Sequence, residues 1–417
     1  MINISNIPFM RRKLAECCLA ADYSGAVRIS GELLNYYSSI KGLNSEAYSE
    51  DLFNIAFAYE NIGEHKKAIR LYTESSRVIM ELKGENADSF YRLMNIAVIY
   101  CKTGEYSVAL ELLNSIIDGL RRKKINDTNL KYLCYYNIGS SHCSLGQHTE
   151  GIESFKKARR YCKAEDGSNY FDVLYSLGIA YMELHEYRKG SLFFKEASKA
   201  IRLAEPQNVS ELLNVLVSIS ESFEKMGAYS KSIEKLEEVL RIMESMLVKG
   251  NRAYNAIQMR IASMYLKMDA HEKAIEICRE ISESTKNLVG ENSLQYANTL
   301  RDMAFFCKEA KQHETGIECL KKGIKIKSDL LGANSRETIK DTIALISLYI
   351  EIKELKYALD LLIQTIGIMD ENKDESNEFM SKLAELYMSL GEYGNFHSVY
   401  SRALELSQPQ DQEYEEF

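Results

Sequence analysis

The stretch "LKGENA" at residues 82–87 returns as "LVGENS" at residues 288–293, and the interval between the two decides the fold. "IKGLN" ends at Asn44 and "LLGAN" at Asn334, so Gly42, Gly84, Gly290 and Gly332 fall 42, 206 and 42 residues apart. Self-similarity at a fixed period outranks any local signal, because it means that one supersecondary unit has been stacked many times. The period here is 42 residues or close to it.

A second marker makes the period continuous. A Gly-polar-aromatic turn stands at Gly63-Glu64-His65, Gly104-Glu105-Tyr106, Gly146-Gln147-His148, Gly227-Ala228-Tyr229 and Gly391-Glu392-Tyr393. Weaker copies at Ala21, His185, Asp269, Lys311 and Lys353 fill the gaps, and the ten positions step by 42, 41, 42, 39, 42, 42, 42, 42 and 38 residues. Ten units account for nearly the whole chain of 417 residues. At that length a single core would be unusually large, but a stacked array escapes the limit because each unit buries its apolar face only against its neighbours.

Upstream of each turn runs an i, i+3, i+4, i+7 apolar stripe: Leu52, Ile55, Ala56, Tyr59; Leu93, Ile96, Ala97, Tyr100; Leu174, Leu177, Gly178, Tyr181. That spacing is one face of an amphipathic helix. Five residues beyond each turn position stands a small residue, Ala26, Ala68, Ala109, Gly151, Gly190, Ser232, Ala274, Gly316 or Ala358, which lets a second helix approach the first closely. "GEN" then reads as punctuation: Gly84 ends a helix in a left-handed cap and Asn86 caps the next one. The expected fold is all-α, a right-handed α-solenoid of about ten helix-turn-helix repeats over residues 9–407, with a lead-in at 1–8 and an acidic mobile tail at 408–417.

This pattern resembles the tetratricopeptide repeat family. The matching residues are the small one of the first helix (Ala56, Ala97, Gly139, Gly178, Ala262, Ala304, Ala384), the aromatic three positions later (Tyr59, Tyr100, Tyr181, Phe223, Tyr265, Tyr349, Tyr387) and the small one of the second helix. The lengthened unit, with "LLGANS" or "LVGENS" leading into "LQYANTLRDMA", is similar to the kinesin light chain type of repeat. The family's first-helix Trp is absent, its loop Pro is missing, and Phe396 stands where the last unit would carry a small residue.

Composition narrows the partners. A net charge of −8 disfavours nucleic acid and anionic membrane, and the basic run Arg121–Lys124 suits a solvated helix end. No apolar run reaches membrane-spanning length, and "MINISNIPFMRRKL" carries its charges after its apolar piece, the reverse of a secretory signal, so a cytoplasmic location is expected. Nine cysteines with no CxxC pair fit neither a disulfide framework nor a zinc site. His65, His148, His271 and His313 repeat one turn position, so periodicity accounts for them better than a metal does. No HExxH, GxSxG, P-loop or GxGxxG pattern occurs; no enzyme, no cofactor and no metal are expected.

The resemblance implies a groove lined by first helices. Asn54, Asn95 and Asn137 occupy one equivalent site in three consecutive repeats, where the family often uses Asn to hold a bound peptide's backbone, and Phe53, Phe57, Tyr91, Met94, Tyr136 and Tyr175 stand beside them as contact area. The other reading is that "NIA" and "NIG" merely preserve the repeat while the aromatics pack on neighbouring helices. Further along, Asn298, Arg301, Asp302 and Lys340 replace aromatics with charge. The expected function is a non-enzymatic scaffold holding a protein or peptide segment. The alternative is a bacterial peptide-responsive regulator, which usually carries an N-terminal output domain for which the first turn at Ala21 leaves no room.

Overall fold

The computed structural model describes residues 7–38, 45–163, 167–204, 207–246 and 250–368, with Glu385, Met388, Gly391 and Asn395 beyond them. These residues form helices and turns, with no strand among them. The chain divides into two compact units, Met1–Gly227 and Ala228–Phe417. Unit 1 holds α1 (Ile7–Leu19), α2 (Tyr23–Ser38), α3 (Glu46–Asn61), α4 (His65–Lys83), α5 (Ala87–Lys102), α6 (Tyr106–Arg122), α7 (Thr128–Ser144), α8 (His148–Arg159), α9 (Ser168–Glu183), α10 (Tyr187–Ala204) and α11 (Val209–Lys225). Unit 2 holds α12 (Tyr229–Ser245), α13 (Arg252–Lys267), α14 (His271–Val289), α15 (Leu294–Glu309), α16 (His313–Leu331), α17 (Arg336–Glu351) and α18 (Leu355–Ile368). Odd-numbered helices are the first of their repeats and even-numbered helices the second, in phase with the turns. This is the all-α solenoid architecture implied by the period.

The two kinds of connection are built differently. Within a repeat the chain reverses through a backbone motif: Gly63, Gly104 and Gly146 take φ of +85°, +84° and +75°. The next N–H reaches back to a first-helix carbonyl, Glu64 to Tyr59 at 2.9 Å and Glu105 to Tyr100 at 2.8 Å. This is a Schellman closure, and it leaves the second helices without side-chain caps at Glu64, Glu105, Gln147 and Gln312. Between repeats the chain has more length, and the first helices start on side-chain caps from Ser45, Asn86, Asp127, Asn251, Ser293 and Ser335. Asn86 forms a reciprocal capping box with Ser89.

Gly84 differs from the expected left-handed cap. It has φ +72° and ψ −175°, and Gly290 (+87°, 162°) and Gly332 (+90°, 153°) follow it. That region admits essentially glycine alone, whereas Asn enters the left-handed well, so the requirement behind "GEN" and "GAN" is stricter than a helix cap. At the other connection the rule relaxes: Ala21, His185, Asp269, Lys311 and Lys353 hold φ of 55° to 62° with a side chain in place.

The small residue of each second helix is where the helix backbones approach. Ala26, Ala68, Ala109, Ser232, Ala274 and Ala358 have no exposed surface. A Cβ on Gly190 would lie 3.1 Å from the Gly178 carbonyl oxygen, and one on Gly151 at 3.1 Å from that of Gly139. The first-helix small residue is matched to a second-helix partner. Gly139 faces Phe155 and Gly178 faces Phe194, rings that a Cβ would meet at 2.7 Å and 2.4 Å. At the same register Ala97 and Ala304 stand with Leu113 and Leu320, while Ala56 with Tyr72 departs from the trade. The cores bridge consecutive repeats, as where Phe90, Leu113, Leu120 and Leu130 join α5, α6 and α7.

Helix α1 starts at Ile7, whose side chain is buried. Gly391 takes the φ of +76° expected of a tenth turn. The helices of that repeat, Phe396 and the tail at 408–417 lie outside the described residues, as do Gly42 and Asn44.

Two stability measurements test this geometry. Gly178→Ala is expected to cost about 1–3 kcal/mol by overpacking on Phe194, and Phe194→Leu in the same chain should recover much of it, recreating the Ala–Leu pair used elsewhere; additive losses in chemical denaturation would refute the matching. Lys311→Gly should raise stability by about 0.5–1 kcal/mol, because it removes a left-handed side-chain residue at an exposed turn, and a lowered melting temperature would count against the assignment.

Candidate functional site

The nine expected groove residues all lie in unit 1, on α3, α5, α7 and α9. Asn54, Asn95 and Asn137 stand nine residues before their turns at Gly63, Gly104 and Gly146, and all three are half-buried. Their amides are used unequally. Asn137 Nδ2 donates to the Leu133 carbonyl of its own helix at 2.8 Å. Asn95 hydrogen-bonds the Tyr72 phenol, which donates in turn to Glu60 Oε2 at 3.0 Å, while Lys102 Nζ donates to Glu60 Oε1 at 2.6 Å. Asn54 has no side-chain hydrogen bond among the described residues; its backbone carbonyl receives the Cys18 thiol at 3.6 Å. The three are alike in keeping the carbonyl oxygen uncommitted, and only Asn54 keeps both ends free.

The flanking residues separate into two groups. Met94 is 6% exposed within the α5–α6–α7 core, so its expected place on an open face is corrected: its helix rotation points it at Leu113 and its neighbours. Phe53 is half-buried and already covered, edge-on to Tyr72 with centroids 5.4 Å apart and with the Arg92 guanidinium 5.2 Å above its ring. Arg92 is held there by Nε to Ser75 Oγ at 2.7 Å, Nη1 to the Asp88 carbonyl at 2.9 Å and Nη2 to Glu50 at 3.2 Å. Phe57 meets Tyr23 edge-on at 5.8 Å. Tyr91 ties α5 to the start of α7, donating to Asp127 Oδ1 at 3.2 Å and accepting from Asn129 at 3.1 Å.

Tyr136 and Tyr175 act between repeats. Tyr136 stacks on Tyr132 at 5.9 Å and shares a hydrogen bond with Ser176 at 3.3 Å; Tyr175 stacks on Phe171 at 5.7 Å and shares one with Ser218 at 3.2 Å. Burial pushes the Tyr136 phenol above its ordinary pKa, and the Ser176 bond opposes that. Ser176 and Ser218 stand at the same register as the three asparagines, nine residues before His185 and Gly227. The polar row therefore runs through five successive first helices, a continuation missed because Ser is a commonplace helix residue and only its register sets it apart.

The charged residues read further along are in unit 2. Arg301 Nη2 lies 3.3 Å from Asp302 and Nη1 lies 3.7 Å from Asp341; Lys340 is exposed. Among the described residues no group of three or more His, Cys, Asp or Glu is placed to hold a metal, and no helix is long and apolar enough to cross a membrane.

Paired antiparallel helices with a small residue at each close approach, repeated at a fixed period, define a helical-hairpin repeat protein. The repeats are similar to tetratricopeptide repeats: that family's model matches one of them, over residues 132–161 within α7 and α8. The apo form of RapI superposes with a TM-score of 0.52 at 13% identity, covering 86% of this chain and 97% of RapI. A likeness at that identity supports the fold alone. A putative kinesin light chain of Podosopora anserina with nearly identical tetratricopeptide-like repeats gives a TM-score of 0.40 at 16% identity, over 46% of this chain and 94% of that one. A clustered mitochondria protein homolog of Candida albicans is 24% identical over 185 residues, 42% of this chain; the chain spans only 14% of that relative's length.

The thiols offer a check on burial. Cys134 and Cys278 are buried, and desolvation raises both to about 12. A raised pKa keeps the neutral thiol at every lower pH, so at pH 8 only about 1 in 10,000 of either is thiolate. Iodoacetamide at pH 8 should therefore spare both in the native chain while half-buried Cys17 reacts; mass spectrometry finding Cys278 labelled as fast as Cys17 would contradict the packing.

Proposed function

We propose that the chain is a non-enzymatic scaffold that holds an extended peptide or partner segment on the first-helix face of unit 1. The observation that supports this is the row Asn54, Asn95 and Asn137, one register in three successive repeats, with each amide oxygen left free to accept. An extended chain offers backbone N–H groups at regular intervals, and a row of acceptors matches it with little dependence on the ligand's sequence. Phe57 and Tyr91, half-buried, would supply side-chain contacts, while Phe53, Tyr136 and Tyr175 stiffen the wall behind them. This division differs from an even spread of contact over all the aromatics, and it makes Asn54, with both amide ends free, the position of greatest expected effect.

The test is a partner captured by affinity pull-down with mass spectrometry from the source organism, then titrated against purified variants. Each backbone-to-amide bond contributes about 0.5–1.5 kcal/mol, so the triple Asn→Ala variant should bind roughly ten- to a few-hundred-fold more weakly. Asn54→Ala should carry the largest single share and leave the melting temperature unchanged, because its side chain holds no other residue, whereas Asn95→Ala also gives up the bond to buried Tyr72. Unchanged affinity in the triple variant, with loss on substituting second-helix surfaces, would move the site off this face.

A further inference from the structure

Unit 2 contains a cleft of about 860 Å³ between the first helices α13 and α15, floored by α14. That size lies within the range of roughly 300–1,000 Å³ typical of ligand pockets. Its wall is apolar where Met259 and Ile281 stand, and its rim carries the exposed Leu288 and Val289. Two of its buried polar atoms are acceptors without a donor. Asn255 donates its Nδ2 to Thr285 Oγ1 at 3.2 Å, which leaves Asn255 Oδ1 buried with no partner; Asn298 Oδ1 is buried and unpartnered as well. The Thr299 hydroxyl is spent on the Tyr296 carbonyl at 2.7 Å.

Asp302 adds a carboxylate. It occupies the register that carries Asn54, Asn95 and Asn137 in unit 1, nine residues before the turn at Lys311, so an amide slot has become a charged one. Arg301 touches one of its oxygens at 3.3 Å with both side chains about two-fifths exposed, and Arg252 lies exposed at the cleft's edge. Cys278, a neutral thiol, contributes no charge to the floor.

A buried acceptor without a donor costs free energy comparable to a lost hydrogen bond, and two of them facing one cleft with a carboxylate beside them define what would relieve the cost. An anion would face the Asp302 carboxylate and leave both orphan acceptors without a donor. Calcium takes about six to eight oxygen ligands, more than these side chains supply. A guanidinium or ammonium group brings several N–H donors and a positive charge, and its aliphatic stem suits an apolar wall. We propose that this cleft binds an arginine or lysine side chain presented by an extended peptide segment, with Asn255, Asn298 and Asp302 accepting its hydrogen bonds. It shares no residue with the face of unit 1, so the two readings stand or fall separately.

The experiment is fluorescence anisotropy on the full chain with labelled Ala/Leu hexapeptides whose central residue is arginine, lysine, citrulline or glutamate. The arginine and lysine peptides should bind at least about tenfold more tightly than the citrulline peptide, which keeps the shape and loses the charge, and the glutamate peptide should bind weakest. Asp302→Asn should erase the preference over citrulline, and Asn255→Leu with Asn298→Leu should weaken the arginine peptide about tenfold or more. The triple Asn→Ala variant of unit 1 should bind it unchanged. Because an orphan acceptor is removed, Asn298→Leu should melt no lower than the parent chain; if the leucine variants fail to fold, Asp302→Asn on its half-exposed side chain carries the decision. Equal binding of citrulline and arginine peptides, a preference that survives Asp302→Asn, no binding of any peptide up to millimolar concentration, or tighter binding of spermidine than of the arginine peptide would each overturn the proposal.

Discussion

Everything in this chain depends on how closely two helix backbones can approach within one repeat. The carbonyl oxygens of Gly139 and Gly178 sit where a Cβ on Gly151 or Gly190 would come within 3.1 Å, and the crossings of the other repeats hold nothing larger than alanine, glycine or serine. Backbone approach at one crossing fixes the rotation of both helices, and rotation decides which residues reach the next repeat and which face outward. The polar row of unit 1 and the cleft of unit 2 follow from it, since each combines side chains from helices that never meet in sequence. The Gly–Phe and Ala–Leu pairs trade volume between the two helices at this crossing, with Ala56–Tyr72 the exception.

The parts of the fold legible in the sequence were those set by backbone conformation or by a period. A turn needing positive φ leaves a glycine behind, and a stripe facing a neighbour leaves a 3.6-residue spacing, so both could be counted along the chain. Even there the stereochemistry was coarser than the truth. Gly84, Gly290 and Gly332 share a glycine-only region rather than a left-handed cap, a distinction in ψ that residue type does not reveal. Met94 shares its register with Phe53 and Tyr136 yet is buried, because register alone does not say how far a helix is turned toward its core.

The cleft was less legible still, and the reason is geometric. Asn255 stands 14 residues before its turn at Asp269 and Asn298 stands 13 before Lys311, so a period search never pairs them. They converge because the second helix between them lets side chains at different registers reach one space. Asp302 and Asn298 were visible as charge and polarity replacing aromatics, but a solvated helix face has the same composition. What separates the two is an acceptor buried without a donor, and that exists only in the folded chain.

The joints between repeats carry a further constraint, one that sequence period alone would call redundant. Sixteen residues after a turn the second helix meets the residue twelve before the next turn. In the middle of unit 1 this meeting is apolar, with Leu120 opposite Cys134 in one core and Ile201 and Val215 buried at the same register. At the first joint it is polar: the Tyr37 hydroxyl and Arg11 Nε both donate to Asp51, which is 5% exposed. In unit 2, Lys327 Nζ lies 2.7 Å from Asp341 Oδ2 with the two residues 0% and 1% exposed. A buried ion pair adds little net stability compared with an apolar pair of the same size, but separating its members costs about 3–5 kcal/mol because a charge is left uncompensated. In an array of near-identical units, apolar joints are interchangeable: a helix pair slipped by one repeat would still bury Leu against Cys or Val. Slippage at Tyr37–Asp51 or Lys327–Asp341 instead separates a buried charge from its partner. These joints therefore act on which repeat neighbours which, at a cost in stability that the apolar joints at Leu120–Cys134 and Ile201–Val215 do not incur.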